Sequence, residues 1–234
     1  MNGNKKMSGN NQKLGILVLG QTPRPDLESL FGTYLPGVEI CIRGGLDNMS
    51  GDAIDAMSQK GGEYPLLTIL ADGSTREISM NLLVPHLSRC AGELADNGAA
   101  LALLICAGAF PDIASPIPIL YPGRIVPAVV AQLSATRRTG IITPNPGQVA
   151  SARNHWQNHG FNVEVSVASP KEDGALERAA RELNQPDLEL IVLDCMGFNP
   201  QAGRHMQKLT GRPVICPQSL IARVMGEYFG IDEL

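Results

Sequence analysis

Aromatic residues make up only 4% of the 234-residue chain, so any core it builds has to be aliphatic. Basic runs are absent, and 19 Lys and Arg against 23 Asp and Glu leave a formal net charge of −4. Phosphate contacts need clustered cations, so nucleic acid is not an expected partner. Long apolar runs are missing too. Stretches such as Leu101 to Cys106 and Ile191 to Leu193 fall far short of the roughly 20 residues that cross a bilayer, and no membrane role is expected. The opening MNGNKKMSGNNQK lacks the apolar segment of a secretory signal, and residues 1–13 read as a disordered polar tail. Five cysteines form an odd set with no CxxC pair and no Cys/His cluster, which predicts free thiols, a cytoplasmic protein and no bound metal. Neither GxGxxG nor GxxxxGK[ST] occurs, the Gly44-Gly45 pair is too slight for a phosphate loop, and no cofactor is expected.

What the chain does have is alternation. Leu14 to Leu19 reads as a buried strand ended by Gly20-Gln21-Thr22-Pro23-Arg24-Pro25, followed by a helix over Asp26 to Tyr34 and a strand over Val38 to Ile42. Another short helix follows Ser50 and Asp52. Leu66 to Leu70 and Thr75 to Ile78, joined through Asp72-Gly73, predict a hairpin inserted into the pattern. Met80 to Asn97 has helical spacing and stops at Gly98, and Leu101 to Cys106 is a strand apolar on both faces. The segment from Pro111 to Pro127 holds five prolines and cannot be one helix, so the crossover between two lobes is placed there. From Thr139 the alternation restarts, with strands at 139–142, 163–167, 188–193 and 213–216 and helices at 149–158, 173–184 and 219–228. Alternating strands and helices imply parallel sheets, here in two lobes. The predicted division is 14–122 for the first lobe, 123–218 for the second, and a final helix within 219–234 that returns to the first.

The two halves echo each other. LALLICAGA over 101–109 and LIVLDCMGF over 190–198 both run from an apolar strand into Cys-x-Gly. Thr22-Pro23 and Thr143-Pro144 make a weaker second pair. Residues just past the carboxyl ends of parallel strands line the ligand crevice, so all four segments point to one place. A Cys at such a position, next to free backbone N–H groups and a helix N-terminus, is expected to have a lowered thiol pKa. The same N–H groups can hold a carboxylate and the charge that spreads onto it when an α-proton leaves. Two such thiols facing each other can take a proton from one side of a carbon and deliver one to the other.

The segments LGQTPRPDL, Gly44-Gly45-Leu46-Asp47, Arg124-Ile125-Val126-Pro127, Leu193-Asp194-Cys195-Met196-Gly197-Phe198 and Leu220-Ile221-Ala222-Arg223 resemble AroM family proteins over most of the chain. That family is similar to the superfamily of aspartate, glutamate and hydantoin racemases, maleate isomerase and arylmalonate decarboxylase. The resemblance implies two pseudo-symmetric four-stranded α/β lobes, a pocket at their interface and one cysteine from each. It also makes a homodimer an expectation, although no stripe in the sequence marks an interface. Amino acid racemases of the superfamily carry Asn-Thr after the first Cys and Thr-His after the second. Ala107-Gly108 and Met196-Gly197 stand here instead, and Gln21-Thr22-Pro23-Arg24 replaces a loop with Asp and Ser.

A small carboxylate-containing ligand is therefore expected rather than an amino acid. Cys195 is the principal catalytic candidate and Cys106 the opposing thiol. The predicted binding residues are Gln21, Thr22, Arg24, Ala107, Gly108, Thr143, Asn145, Asp194, Met196 and Gly197. Cys41, Cys90 and Cys216 read as packing residues, and His86, His155, His159 and His205 as surface or supporting ones. Two functions follow. One is a cofactor-independent racemase, isomerase or decarboxylase using cysteine acid/base chemistry. The other is a non-catalytic small-acid binding or regulatory protein on the same scaffold.

Overall fold

A computed structural model describes residues 12–62 and 64–231. The tail expected over 1–13 therefore lies outside the described residues except for Gln12 and Lys13, and Lys13 is already the first residue of a strand. In chain order the first half holds β1 (Lys13–Val18), α1 (Pro25–Tyr34), β2 (Glu39–Gly44), α2 (Gly51–Gln59), β3 (Pro65–Ile69), β4 (Thr75–Ser79), α3 (Met80–Asp96), β5 (Leu101–Leu104) and β6 (Ile119–Leu120). The second half holds α4 (Pro122–Leu133), β7 (Arg138–Thr143), a 3-10 turn at Pro146–Gln148, α5 (Val149–Asn158), β8 (Asn162–Val167), α6 (Ala175–Glu182), β9 (Leu190–Leu193), α7 (Pro200–Thr210), β10 (Val214–Ile215) and α8 (Pro217–Phe229).

The strands form two four-stranded parallel sheets, ordered β2-β1-β5-β6 and β10-β9-β7-β8. Counted within its own half, each sheet has the order second, first, third, fourth, so the lobes are topological copies. Register makes the copy residue-specific. Leu17 pairs with Leu104 in the first lobe and Ile142 with Leu193 in the second, and Gly15 and Gly140 fall at matching positions. Both glycines make room for a covering helix. A Cβ on Gly15 would lie 2.9 Å from Leu94, and one on Gly140 would lie 3.2 Å from Leu183. By the same register Thr143 is the second lobe's equivalent of Val18, four residues before Thr22, so the two Thr-Pro pairs read as echoes are not structurally equivalent.

Each sheet is covered on both faces, as the unbroken apolar runs of β5 and β9 require. In the first lobe α3 and the β3–β4 hairpin cover one face, while α1 and α8 cover the other, with Phe31, Ile221 and Met225 packed in the second group. The second lobe packs α6 and α7 on one side and α4 and α5 on the other. Trp156, the single tryptophan, is fully buried among Val126, Ile141 and Val163. Burying an aliphatic or aromatic side chain of this kind stabilises by about 1.5–3 kcal/mol, so each lobe has its own anchor.

Three features departed from the sequence reading. Gly211 closes α7 in a left-handed conformation and Asn199 caps its start, accepting from Ala202 N–H at 2.9 Å, yet the polar composition of this helix hid it. The two-residue β6 is too short to leave a pattern. Helix α4 also starts inside the proline-rich segment and carries Pro127 in its body. Pro127 has no N–H to offer the carbonyl of Gly123 four residues earlier, and the His155 ring stands close enough to that carbonyl for its charged form to be favoured by it.

Candidate active site

Strands β5 and β9 end in the same way. The N–H of Ile105 bonds Leu17 O at 2.9 Å and that of Asp194 bonds Ile142 O at 2.8 Å. One residue later the chain turns tightly, with Cys106 N–H on Leu104 O at 2.9 Å and Cys195 N–H on Leu193 O at 2.6 Å. Each thiol then meets the N–H of the glycine two residues on. Gly197 donates to Cys195 Sγ at 3.3 Å, and the Gly108 N–H lies close enough to Cys106 to favour its thiolate. The glycines at these loops are required by space. A Cβ on Gly108 would sit 1.9 Å from the Tyr64 hydroxyl, and one on Gly123 would sit 2.1 Å from Gly108 O, so the start of α4 packs directly on the Cys106 loop.

Cys106 and Cys195 line one cavity of about 60 Å³ between the lobes. Its walls are otherwise mostly apolar, with Leu66, Leu67 and Ile69 of β3 on one side and Ile105, Pro144 and Pro170 on others. The hairpin is thus a wall of the site. Gln21 N–H bonds Ile69 O at 2.9 Å, and Gln148 Nε2 from the second lobe donates to Pro65 O at 2.9 Å, so β3 is tied to both lobes. A wider polar groove lined by Asp26, Lys171 and Arg204 adjoins the cavity and shares Pro170 and Gly197 with it.

Arg24 supplies the cavity's cation. Its Nε and Nη2 donate to the two oxygens of Asp26 at 2.8 and 2.6 Å, and its side chain is 10% exposed against 59% for Asp26. The carboxylate therefore holds the guanidinium from the solvent side. Nη1 has no acceptor among the described residues, which leaves donors for a ligand.

Burial governs the titrating groups. It pushes the Cys195 thiol up to about 11, opposed by the Gly197 N–H and, more weakly, by Arg24. It pushes Cys106 up to about 12, opposed by the Gly108 N–H. The lowered thiol pKa expected from the sequence is thus overturned: desolvation of the thiolate outweighs one N–H per sulfur, and both groups are thiols at neutral pH. Asp194 is also raised by burial, to about 7, against the hydrogen bond that its Oδ2 accepts from Trp156 Nε1 at 3.0 Å. Its Oδ1 is buried with no partner.

The predicted binding residues divide into two groups. Arg24, Met196 and Gly197 line the cavity with the two thiols, and Met196 also crosses into the first lobe's core beside Ile221. Gln21, Thr22, Thr143 and Asn145 do not line it, because their side chains hold the loops. Gln21 Nε2 donates to Leu46 O and Met49 O, both at 3.2 Å. Thr22 Oγ1 donates to Asp47 Oδ1 at 3.1 Å, Thr143 Oγ1 to Asn145 O at 3.2 Å, and Asn145 Oδ1 accepts from Gln148 N–H at 3.1 Å. Ala107 is buried against the first lobe's core, and Asp194 points to Trp156.

Two contributors fell outside the predicted binding set. Gln148, a plausible pocket group by its polarity although a turn before a helix needs such a residue anyway, lines the cavity. Tyr64 follows Gly61 and Gly62 in a left-handed conformation at φ +57°, and its hydroxyl lies against the Cys106 loop, where a Cβ on Gly108 would meet it at 1.9 Å. A Gly-Gly pair two residues before a tyrosine was its only trace. Among the described residues no group of three or more His, Cys, Asp or Glu stands close enough to hold a metal ion, and no helix is long and apolar enough to cross a membrane.

A family model described as AroM protein matches residues 14–229. No curated protein matches the sequence at a significant level. Among solved structures the chain is similar to glutamate racemase from Aquifex pyrophilus, with 17% identity, TM-score 0.56, and 93% of this chain and 84% of that one covered. A variant of the maleate isomerase from Pseudomonas putida S16, solved with maleate, has 14% identity and TM-score 0.58 over 94% of this chain and 92% of that one. Arylmalonate decarboxylase has 16% identity and TM-score 0.54 over 91% and 88%. At these identities the likeness establishes a racemase-like fold.

Proposed function

Because the chain belongs to the AroM protein family and has this racemase-like fold, we propose that it is an enzyme moving a proton at the carbon next to the carboxyl of a small acid, with Cys195 and Cys106 as acid and base and no cofactor. The observation that carries the reading is the pair of thiols, one from each lobe, at equivalent strand ends on one cavity that also holds a buried arginine.

Arg24 binds the carboxylate and draws charge toward it as the adjacent carbon loses its proton. In a stereoinversion one sulfur enters as thiolate and accepts the proton, while the other, a thiol, delivers its own to the opposite face. The C–H bond lost is replaced by a C–H bond formed, and the two sulfurs exchange protonation states. Cys195 is the easier of the two to ionise, at about 11 against about 12, with Arg24 beside it. A decarboxylation needs only a donor, on a substrate with two carboxyls on one carbon: one C–C bond breaks, CO₂ leaves, and the ene-diolate of the remaining carboxylate takes the Cys195 proton, which leaves Cys195 as thiolate. Thiols held protonated by burial suit that delivery.

The same burial supports a second reading, a non-catalytic small-acid binding protein, since thiols that stay protonated are poor bases. Solvent-deuterium exchange at the α-carbon of a set of short carboxylates, followed by NMR, separates them. Stereoinversion predicts exchange by the wild type and a loss of at least ~100-fold in both Cys195→Ser and Cys106→Ser. One-thiol chemistry predicts that loss in Cys195→Ser alone. Binding with neither exchange nor release of CO₂ sinks the enzyme reading.

A further inference from the structure

The two loops that close the cavity leave equivalent strand ends, β1 and β7, yet they present different chemistry. From the first lobe comes a cation, Arg24, with Nη1 unengaged among the described residues. From the second comes Gln148, 6% exposed and fixed at two points. Its Nε2 donates to Pro65 O at 2.9 Å, and its N–H is held by Asn145 Oδ1 at 3.1 Å. A carbonyl oxygen can accept only from the amide nitrogen, so the Pro65 bond sets which end of the amide is oxygen. Oε1 is left as a neutral acceptor on a residue that lines the cavity, with no donor among the described residues. Among the described residues no Asp or Glu side chain lines the same space.

We propose that the ligand is a short monocarboxylate bearing a hydroxyl on the carbon next to the carboxyl, a 2-hydroxy acid, with its carboxylate on Arg24 and its hydroxyl proton donated to Gln148 Oε1. This rests on the carboxylate reading of the site given above and names its substrate class. A second carboxylate would face a neutral acceptor and leucine side chains, losing hydration with nothing to pair it. An ammonium would find one amide oxygen and no counter-charge among the described residues that line the cavity. Both would carry the desolvation cost of an unpaired ion. A hydroxyl is satisfied by one acceptor, and a site built around such a bond discriminates strongly against the analogue lacking it.

The test is isothermal titration of the full chain with 2-hydroxybutanoate, butanoate, 2-aminobutanoate and butanedioate. The expected order puts 2-hydroxybutanoate at least ~10-fold tighter than each of the others, in the range of one hydrogen bond retained or left unmade. Gln148→Met keeps the length of the side chain and removes both amide groups. It also frees Pro65, so the readout is the ratio of the hydroxy-acid to butanoate affinities, which a loosened hairpin moves equally for both. That ratio is expected to fall to within ~2-fold of unity, while Arg24→Gln weakens all four acids together. Butanoate binding as tightly as 2-hydroxybutanoate, a preference for the amino acid or the dicarboxylate, or a ratio that survives Gln148→Met would overturn the hydroxy-acid proposal alone. If no acid binds, or Arg24→Gln has no effect, the carboxylate reading falls and this proposal with it.

Discussion

Asp194 occupies in the second lobe the place that Ile105 occupies in the first. Their N–H groups bond Ile142 O at 2.8 Å and Leu17 O at 2.9 Å, and each is followed by the cysteine of its lobe. Pseudo-symmetry thus sets a carboxyl group against an isoleucine. Ile105 lines the cavity, whereas Asp194 is buried, holds Trp156 Nε1 at 3.0 Å through Oδ2 and leaves Oδ1 without a partner.

Burial raises Asp194 from 3.8 to about 7. The folded protein therefore binds a proton there that the unfolded chain gives up, and the contribution is complete below about pH 4 and lost as pH rises through 7. Asp194→Asn retains an acceptor for Trp156 and cannot ionise. Urea unfolding at pH 5 and pH 8 should show the variant gaining about 2 kcal/mol on the wild type between the two. A difference that does not change with pH would mean that Asp194 titrates normally.

Gly108→Ala should cost about 2 kcal/mol or more, because the new Cβ falls 1.9 Å from the Tyr64 hydroxyl and 3.0 Å from its ring carbon. Tyr64→Phe removes the nearer atom. In that background the cost should drop by roughly 1 kcal/mol, and this coupling is the measurement. Strictly additive effects would place Tyr64 elsewhere.

Site-resolved alkylation with iodoacetamide, read by mass spectrometry, should show both cavity thiols reacting slowly at pH 8. Their rates should rise roughly tenfold per pH unit up to about pH 10, with Cys195 ahead of Cys106. This follows from values near 11 and 12. Arg24→Gln should slow Cys195 about threefold and leave Cys106 alone, since only Cys195 feels the guanidinium. A plateau below pH 8 at either sulfur would refute the burial argument.

Gln21→Ala removes two donations to the loop after β2, at Leu46 and Met49, and the acceptor for Ala71 N–H at the hairpin turn. Loss of these bonds should cost about 2 kcal/mol, and hydrogen exchange should quicken over residues 65–71 more than in the sheets. Uniform change across the chain would show that Gln21 does not hold the hairpin.

The alternation of strands and helices made the two-lobed α/β fold legible, because buried parallel strands leave continuous apolar runs such as LALL and LIVL. The Cys-x-Gly echo was legible because equivalent loops leave equivalent strand ends, although the neighbours differ: a Cβ on Gly108 would fall 1.9 Å from Tyr64, one on Gly197 3.1 Å from Pro170. Direction and solvation were not. Thr22 and Thr143 looked like ligand donors by residue type, yet Asp47 and Asn145 engage them, which only the folded loops reveal. Raised thiol pKa values depend on how much water the hairpin excludes, and no local pattern around Cys106 or Cys195 encodes that. Tyr64 lies 42 residues before Cys106 in the chain, a long-range contact with no periodic signature.

The most direct measurement of the central claim is a crystal structure of the wild type with a bound short carboxylate. The carboxyl group is expected on Arg24 and the adjacent carbon between Cys106 Sγ and Cys195 Sγ, with each sulfur about 3–4 Å away on opposite faces. An acid bound outside this cavity, or both sulfurs on one side of the carbon, would contradict it.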